Sequence, residues 1–178
     1  MRKTVTLFLS GDVMTGRGID QILPHPSAPQ LFEPAVRSAL EYVELAEAVG
    51  GPIPRRAAFD YLWGDALAEL ERRRVSARII NLETAITVSK EAWPQKGVHY
   101  RMHPLNVPCL TAARIDCCTL ANNHVLDWGR AGLEETLSVL SGGGNENEPW
   151  HLPGDRGFEQ QCRSLHGGRR DFPGRCQR

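Results

Sequence analysis

The sequence has neither a net charge nor a long hydrophobic run. Its 21 Lys and Arg residues are balanced by 21 Asp and Glu residues, so no overall positive field would attract nucleic acid or an anionic membrane surface. No stretch approaches the roughly 20 apolar residues that cross a bilayer. The apolar residues 4–10 are interrupted by threonine and end at Gly11 without a cleavage site, which predicts a strand instead of a signal peptide. We therefore expect no nucleic-acid partner, no membrane segment in this chain and a cytoplasmic location.

Cysteine pairs with metal-binding or redox spacing are also missing. The five cysteines are odd in number and include no Cys-x-x-Cys pair, which argues against a structural zinc site. Cys117 and Cys118 are adjacent within an apolar run, where a reduced cysteine behaves as a small core residue. This usage favours a reducing compartment, and a vicinal disulfide is the alternative.

Hydrophobic periodicity predicts an α/β protein. Short apolar runs bounded by turn residues predict strands, and apolar residues at intervals of three and four predict helices. The predicted strands cover residues 4–10, 77–82 and 115–121, with a shorter extended piece at 98–102, and the predicted helices cover 33–49, 59–74, 105–114 and 130–140. Strands that alternate with helices indicate a largely parallel sheet. Residues 1–140 are therefore expected to form the folded part of the chain.

The composition changes after Leu140. Residues 141–178 contain 8 of the 17 glycines and no Ala, Val, Ile, Met or Lys. Such a segment buries too little apolar surface to offset its chain entropy, which predicts a disordered C-terminal tail. We interpret it as out-of-frame translation or as the end of a truncated gene, with a natural flexible tail as the alternative.

Polar side chains follow each of the three predicted strands. Asp12 follows the first strand, Glu83 the second, and Asn123 and His124 the third. Because the carboxyl ends of neighbouring parallel strands meet at one edge of a sheet, these four side chains are expected to converge. Two carboxylates, a carboxamide oxygen and an imidazole suit divalent manganese, iron, zinc or magnesium. A bridging carboxylate would allow two ions to activate water against a phosphoryl group, with His124 and Asp12 as the catalytic candidates.

Simpler structural roles compete with these assignments. Asp12 could cap the turn after its strand, and Glu83 could be a solvated surface residue. Asp127 could accept a hydrogen bond from His124 and so orient a metal ligand, or it could cap the helix that begins near Arg130.

Three further residues are secondary candidates for binding an anionic substrate. Arg17 could clamp an anionic group, although an exposed helical arginine is the simpler interpretation. Arg101 and His103 precede a break at Pro104 and could reach the same pocket. A single histidine in such a position is more often a hydrogen-bonded structural residue.

Four sequence stretches resemble successive motifs of the CapA family of capsule-synthesis or poly-γ-glutamate-biosynthesis proteins. They are LSGDVMTGRG, IINLETAIT, YRMHP and LANNHVLDWG, and the resemblance covers about residues 4–140. It implies the N-terminal portion of an αββα sandwich of the calcineurin-like metallophosphatase type, in which Asp12, Glu83, Asn123 and His124 line a metal centre. It also implies an anionic small-molecule or polyglutamate substrate. Family members continue with further strands and histidine motifs, which residues 141–178 do not match.

Two functions of different classes follow from the sequence. The first is a CapA-like protein of poly-γ-glutamate metabolism that acts as a metal-dependent, phosphoesterase-like hydrolase or as an accessory factor. The second is a non-catalytic remnant or interaction module whose incomplete sheet leaves an edge and a hydrophobic face exposed.

Overall fold

The computed structural model describes residues 4–142, whose main element is a three-stranded parallel sheet. The strands are β1 (Leu7–Val13), β2 (Ala77–Leu82), β3 (Ala85–Ile86), β4 (Arg101–Met102) and β5 (Cys117–Thr119). The sheet has the order β1-β2-β5, and a second parallel sheet pairs β3 with β4. The helices are α1 (Gly18–Ile22), α2 (Ala39–Gly50), α3 (Ala66–Arg72), α4 (Pro108–Ala112) and α5 (Gly129–Leu140), with 3₁₀ turns at Tyr61–Trp63 and Pro104–Asn106. The prediction of an α/β fold with a largely parallel sheet is confirmed.

Helix α2 starts six residues later than the helix predicted over 33–49. Ser38 forms a capping box with Glu41: the Ser38 hydroxyl accepts a backbone N–H of the first helical turn, and the Glu41 carboxylate accepts the N–H of Ser38 at 2.9 Å. The backbone of Ser38 also pairs with Gln30 in an isolated antiparallel bridge. The capping box therefore marks the true helix start, and residues 33–38 belong to a connecting segment.

The helix predicted over 59–74 is interrupted. Gly64 has φ +46° and ends the 3₁₀ turn, and α3 begins only at Ala66. The indole of Trp63 donates a hydrogen bond to the carbonyl of Cys109 at 2.7 Å. A positive φ favours glycine, so Gly64 allows the chain to break while Trp63 still reaches the core.

One strand has its predicted bounds, and the others differ from theirs. The second strand matches its predicted bounds, whereas β1 is displaced to 7–13 and carries an irregular register between Ser10 and Val13. Pro108 lies in the first turn of α4, where its missing N–H costs nothing.

Of the predicted tail, residues 143–178 lie outside the described residues. Within residues 4–142, no helix is long and apolar enough to cross a bilayer.

The hydrophobic core lies on one face of the three-stranded sheet. Phe8 of β1 and Ile80 of β2 project to this face and pack with Leu110 of α4 and Leu140 of α5. Ile80 is 1% exposed. Side chains at alternate strand positions point to opposite faces, so the other face of the sheet carries the remaining positions.

That second face is apolar and open. Leu7 and Leu9 of β1 are 53% and 67% exposed. Leu9 is in register with Ile79 of β2, which is half-buried, and Asn81 continues this face at the carboxyl end of β2. Parallel sheets are normally covered on both faces, whereas within residues 4–142 this face has no covering layer.

Gly132 is required by the packing of α5. A Cβ at this position would lie 2.6 Å from the Cβ of Trp128. We expect Gly132→Ala to lower the free energy of unfolding by about 1–3 kcal/mol, as overpacking does, although alanine normally favours a helix interior. Urea unfolding measures the change.

The matched control is Gly50→Ala, because a Cβ at the end of α2 meets nothing within 4 Å. This control should be neutral or stabilising. Equal effects of the two substitutions would contradict the packing argument.

Candidate functional site

His124 is held in a defined orientation at the end of β5. It is 7% exposed, and its Nδ1 lies 2.8 Å from Oδ2 of Asp127. A carboxylate can only accept, so Nδ1 carries the hydrogen and Nε2 is left to bind an ion or accept a proton. Asp127 is fully buried and does not cap α5, whose N-cap residue is Trp128.

The Asp127 carboxylate has two more donors. The backbone N–H of Tyr100 donates to Oδ2 at 2.6 Å, and the ammonium group of Lys96 forms an ion pair with Oδ1. Lys96 also donates to the backbone carbonyl of Asn123. These contacts join the loop after β5 to residues 96–100, and they compensate the burial of a charge.

Asn122, and not Asn123, connects the end of β2 with the loop after β5. Its amide donates to the carbonyl of Leu82 at 2.9 Å and to Oδ1 of Asn81 at 3.0 Å, and its Oδ1 accepts the N–H of His124 at 3.0 Å. Asn123 is exposed. Sequence reasoning missed Asn122. Asparagine side chains in turns often bond the backbone two residues later, so an asparagine directly after a strand is a recognised turn signal.

The two predicted carboxylates meet around Asn81. Its amide lies 3.2 Å from Oδ1 of Asp12 and 3.5 Å from Oε1 of Glu83. Oε2 of Glu83 is 3.9 Å from Nε2 of His124. Asp12 has φ +49° and lies where the register of β1 shifts, and such irregularities redirect side chains at strand ends. The structure therefore brings Asp12, Glu83 and His124 to one edge of the sheet.

The donor chemistry fits a divalent ion, but the described residues do not complete a metal centre. Imidazole nitrogen and carboxylate oxygen both bind zinc at about 2.0–2.2 Å. His124 Nε2 and Glu83 Oε2 are 3.9 Å apart, which is wider than the roughly 3.4 Å between two ligands of a tetrahedral zinc ion. Among residues 4–142, no group of three or more His, Cys, Asp or Glu side chains has metal-ligand spacing.

Tyr100 and Arg17 form one wall of the site. The Tyr100 ring stacks on His124 with centroids 4.1 Å apart. The Arg17 guanidinium lies 4.8 Å from the Tyr100 ring centre, and its Nε is 2.7 Å from Oε1 of Glu33. The Tyr42 hydroxyl donates to the same carboxylate at 2.6 Å, and this bond raises the pKa of Tyr42. Arg17 is thus a stacked, ion-paired residue immediately before α1.

Arg101 and His103 line a neighbouring cleft, beside β4. The cleft holds about 490 Å³ and both residues line it. Buried Asp20 supports it by accepting the N–H of His103 at 2.9 Å and the N–H of Ser27 at 2.6 Å. Burial raises the pKa of Asp20 and lowers that of His103. No sequence signal singled out Asp20, whose partners are up to 86 residues away.

The fold and this edge of the sheet define an α/β protein in which a buried imidazole–carboxylate pair lies beside a second carboxylate. A family model described as "Bacterial capsule synthesis protein PGA_cap" matches residues 6–144. The chain belongs to this family, which confirms the resemblance seen in the motifs.

Curated relatives extend this result. A "Probable polyglutamine synthesis accessory protein" of Mycobacterium tuberculosis, from strain CDC 1551 / Oshkosh and from strain ATCC 25618 / H37Rv, is 54% identical over 140 residues. The aligned region is 79% of this chain and 37% of each relative. The chain therefore spans little more than a third of the length of these relatives. No solved structure matches it.

Replacing the buried Asp127 tests the network that holds His124. Asp127→Asn places an amide where three donors converge, so we expect the free energy of unfolding to fall by about 1–3 kcal/mol, the cost of unpaired buried donors. Urea unfolding measures the loss.

Asp60→Asn is the control, because Asp60 is exposed and makes no capping bond. It should change stability by less than about 0.5 kcal/mol. The same loss in both variants would show that Asp127 does not stabilise this region.

Proposed function

We propose that this chain carries part of a divalent-metal hydrolase site that acts in poly-γ-glutamate or capsule metabolism. The observation that carries the proposal is the buried pair of Asp127 and His124, with Nε2 of His124 directed toward Glu83 at 3.9 Å. Membership of the capsule-synthesis family and relatives named as polyglutamine synthesis accessory proteins support the biological context. The substrate is then an anionic polymer or a small anionic molecule.

Each residue of the site has a separate role in this proposal. His124 and Glu83 would bind the ion, and Asp12 would add a carboxylate from across Asn81. A bound divalent ion supplies Lewis-acid polarisation of the scissile group and a water of lowered pKa. Asp127 keeps the hydrogen of His124 on Nδ1, and Tyr100 covers one face of the imidazole. Further ligands would come from outside residues 4–142.

Metal binding tests the proposal directly. We expect the wild-type chain to bind Mn²⁺ in calorimetric titration, and His124→Ala and Asp12→Ala to bind it about tenfold or more weakly, because each removes a donor. Asp12 is exposed, so its replacement should cost only the roughly 1–2 kcal/mol of placing alanine at a left-handed φ.

Asp60→Ala is the matched control and should retain wild-type affinity. Metal content after dialysis, measured for the same four proteins, provides an independent readout. Equal metal content in all four would contradict the proposed site. Release of glutamate from poly-γ-glutamate and cleavage of a chromogenic phosphodiester then separate the two substrate classes.

A second candidate function, a non-catalytic interaction module, is favoured by the open face of the sheet. Leu7 and Leu9 leave an apolar surface on β1, and large exposed apolar surfaces mark association sites. The chain has no net charge at neutral pH, so its copies do not repel each other. These two observations favour a second copy of this chain as the partner that covers the open face.

Self-association through this face can be measured. We expect the wild type to form dimers or larger species in sedimentation experiments as concentration rises. Leu7→Thr with Leu9→Thr should shift the equilibrium toward monomer, since both changes remove apolar surface and keep strand propensity.

Leu45→Thr with Val49→Thr on α2 is the matched control, because both side chains are also exposed. A monomeric wild type, or an equal shift in the control, would exclude self-association through the sheet.

A further inference from the structure

We infer that Tyr100 and Arg17 are positioning residues, which set the plane of the His124 ring and therefore the direction of its Nε2. The bond between Nδ1 of His124 and Asp127 fixes one atom of the imidazole. The χ2 torsion of histidine is broad, so a single hydrogen bond leaves the tilt of the ring loosely defined. A contact on the face of the ring is needed to fix its plane. The value of this orientation for metal binding rests on the proposed function, whereas the orientation itself does not.

Tyr100 supplies the contact on the face of the imidazole. Its ring centroid lies 4.1 Å from that of His124, and the two ring planes differ by 28°. The backbone of Tyr100 is fixed on both sides of its side chain. Its N–H donates to Asp127 at 2.6 Å, and its carbonyl accepts the indole N–H of Trp128 at 3.0 Å. The Tyr100 ring is therefore a close neighbour of the imidazole on an anchored segment.

Arg17 supports the Tyr100 ring from a distant part of the chain. Its guanidinium lies 4.8 Å from the centre of the Tyr100 ring and 5.0 Å from the centre of the Tyr42 ring. Both separations are within the roughly 6 Å of a cation–π contact. The Arg17 side chain is 19% exposed, and partly buried charges are screened less than exposed ones. Arg17 thus connects the segment before α1 with the residue that stacks on His124.

The buried carboxylate of Glu33 anchors Arg17. Its Oε1 lies 2.7 Å from Nε of Arg17, and its Oε2 accepts the Tyr42 hydroxyl at 2.6 Å. Glu33 is 7% exposed, so its charge needs these partners. The guanidinium is neutralised in place, while its planar group remains free to stack. This pairing favours a positioning role for Arg17 over the anion clamp considered from the sequence.

The backbone conformation of Arg17 also points to a role for its side chain. Arg17 has φ +51°, a left-handed conformation that glycine adopts without strain and that residues with a Cβ rarely adopt. Such strained residues persist where surrounding contacts determine their conformation, and they cluster at functional sites. The ion pair with Glu33 and the contacts with the two tyrosine rings are contacts of this kind.

The order of the His124 ring tests the inference without metal, in the presence of EDTA. Carbon-13 relaxation of its Cδ2–H and Cε1–H bonds gives order parameters, and the signals are identified by their loss in His124→Gln. We expect values above about 0.8 in the wild type and in Tyr100→Phe, which keeps the stacked ring, and below about 0.6 in Tyr100→Leu. Arg17→Gln should give intermediate values, because the Tyr100 ring loses its support.

Arg37→Gln is the control for Arg17→Gln, because Arg37 is exposed, and it should match the wild type. Equal order parameters in Tyr100→Phe and Tyr100→Leu would overturn the role of Tyr100. Wild-type order in Arg17→Gln would overturn that of Arg17. A loss of stability alone would lower neither value in the folded protein, so the readout separates positioning from a purely structural role.

Mn²⁺ titration measures the consequence for the proposed site. Tyr100→Leu should bind Mn²⁺ about tenfold or more weakly, as expected when a residue that orients a metal ligand is lost, and Tyr100→Phe should restore wild-type affinity. Arg17→Gln should bind about two- to fivefold more weakly, the effect of one cation–π contact. Wild-type affinity in Tyr100→Leu would overturn the inference. A wild type that binds no Mn²⁺ would contradict the proposed function, and the order of the His124 ring would still decide this inference.

Discussion

The buried carboxylate of Asp127 organises the part of the molecule that carries chemistry. Donors from three places reach it: the ring of His124, the backbone of Tyr100 and the ammonium group of Lys96. Burying a charge is unfavourable unless such partners compensate it. The loop after β5 and residues 96–100 therefore stay together, because separating them would leave Asp127 unpaired. His124 gains its orientation from this constraint and not from its own position in a strand.

The same constraint places the cleft next to the His124 site. Tyr100 and Arg101 are consecutive, so their side chains leave the extended chain on opposite sides. Tyr100 stacks on His124, whereas Arg101 stacks on Trp128, the residue after Asp127. The indole of Trp128 also donates to the carbonyl of Tyr100 at 3.0 Å. One short segment thus separates the cleft from the edge that carries His124 and supports both.

The sequence allowed the prediction of the sheet and of the strand ends, because both follow from local patterns. Strand β2 has the bounds that its apolar run predicts, and Asp12, Glu83 and His124 converge because parallel strands end at one edge. Asn122 and Asn123 are chemically identical, so only the turn geometry decides which of them connects the strands. Asp20 bonds Asn106 across 86 positions, and no local pattern encodes such a contact.

The open face of the sheet and the edge that carries Asp12, Glu83 and His124 are parts of one surface. Leu9 and Ile79 are neighbours on the open face, and Asn81 lies on the same face two residues further along β2. The amide of Asn81 connects Asp12 with Glu83. Any structural layer that covered Leu9 and Ile79 would therefore end beside Asp12, Glu83 and His124, where it could supply further ligands. Association through the sheet and completion of the proposed metal centre would for this reason be coupled.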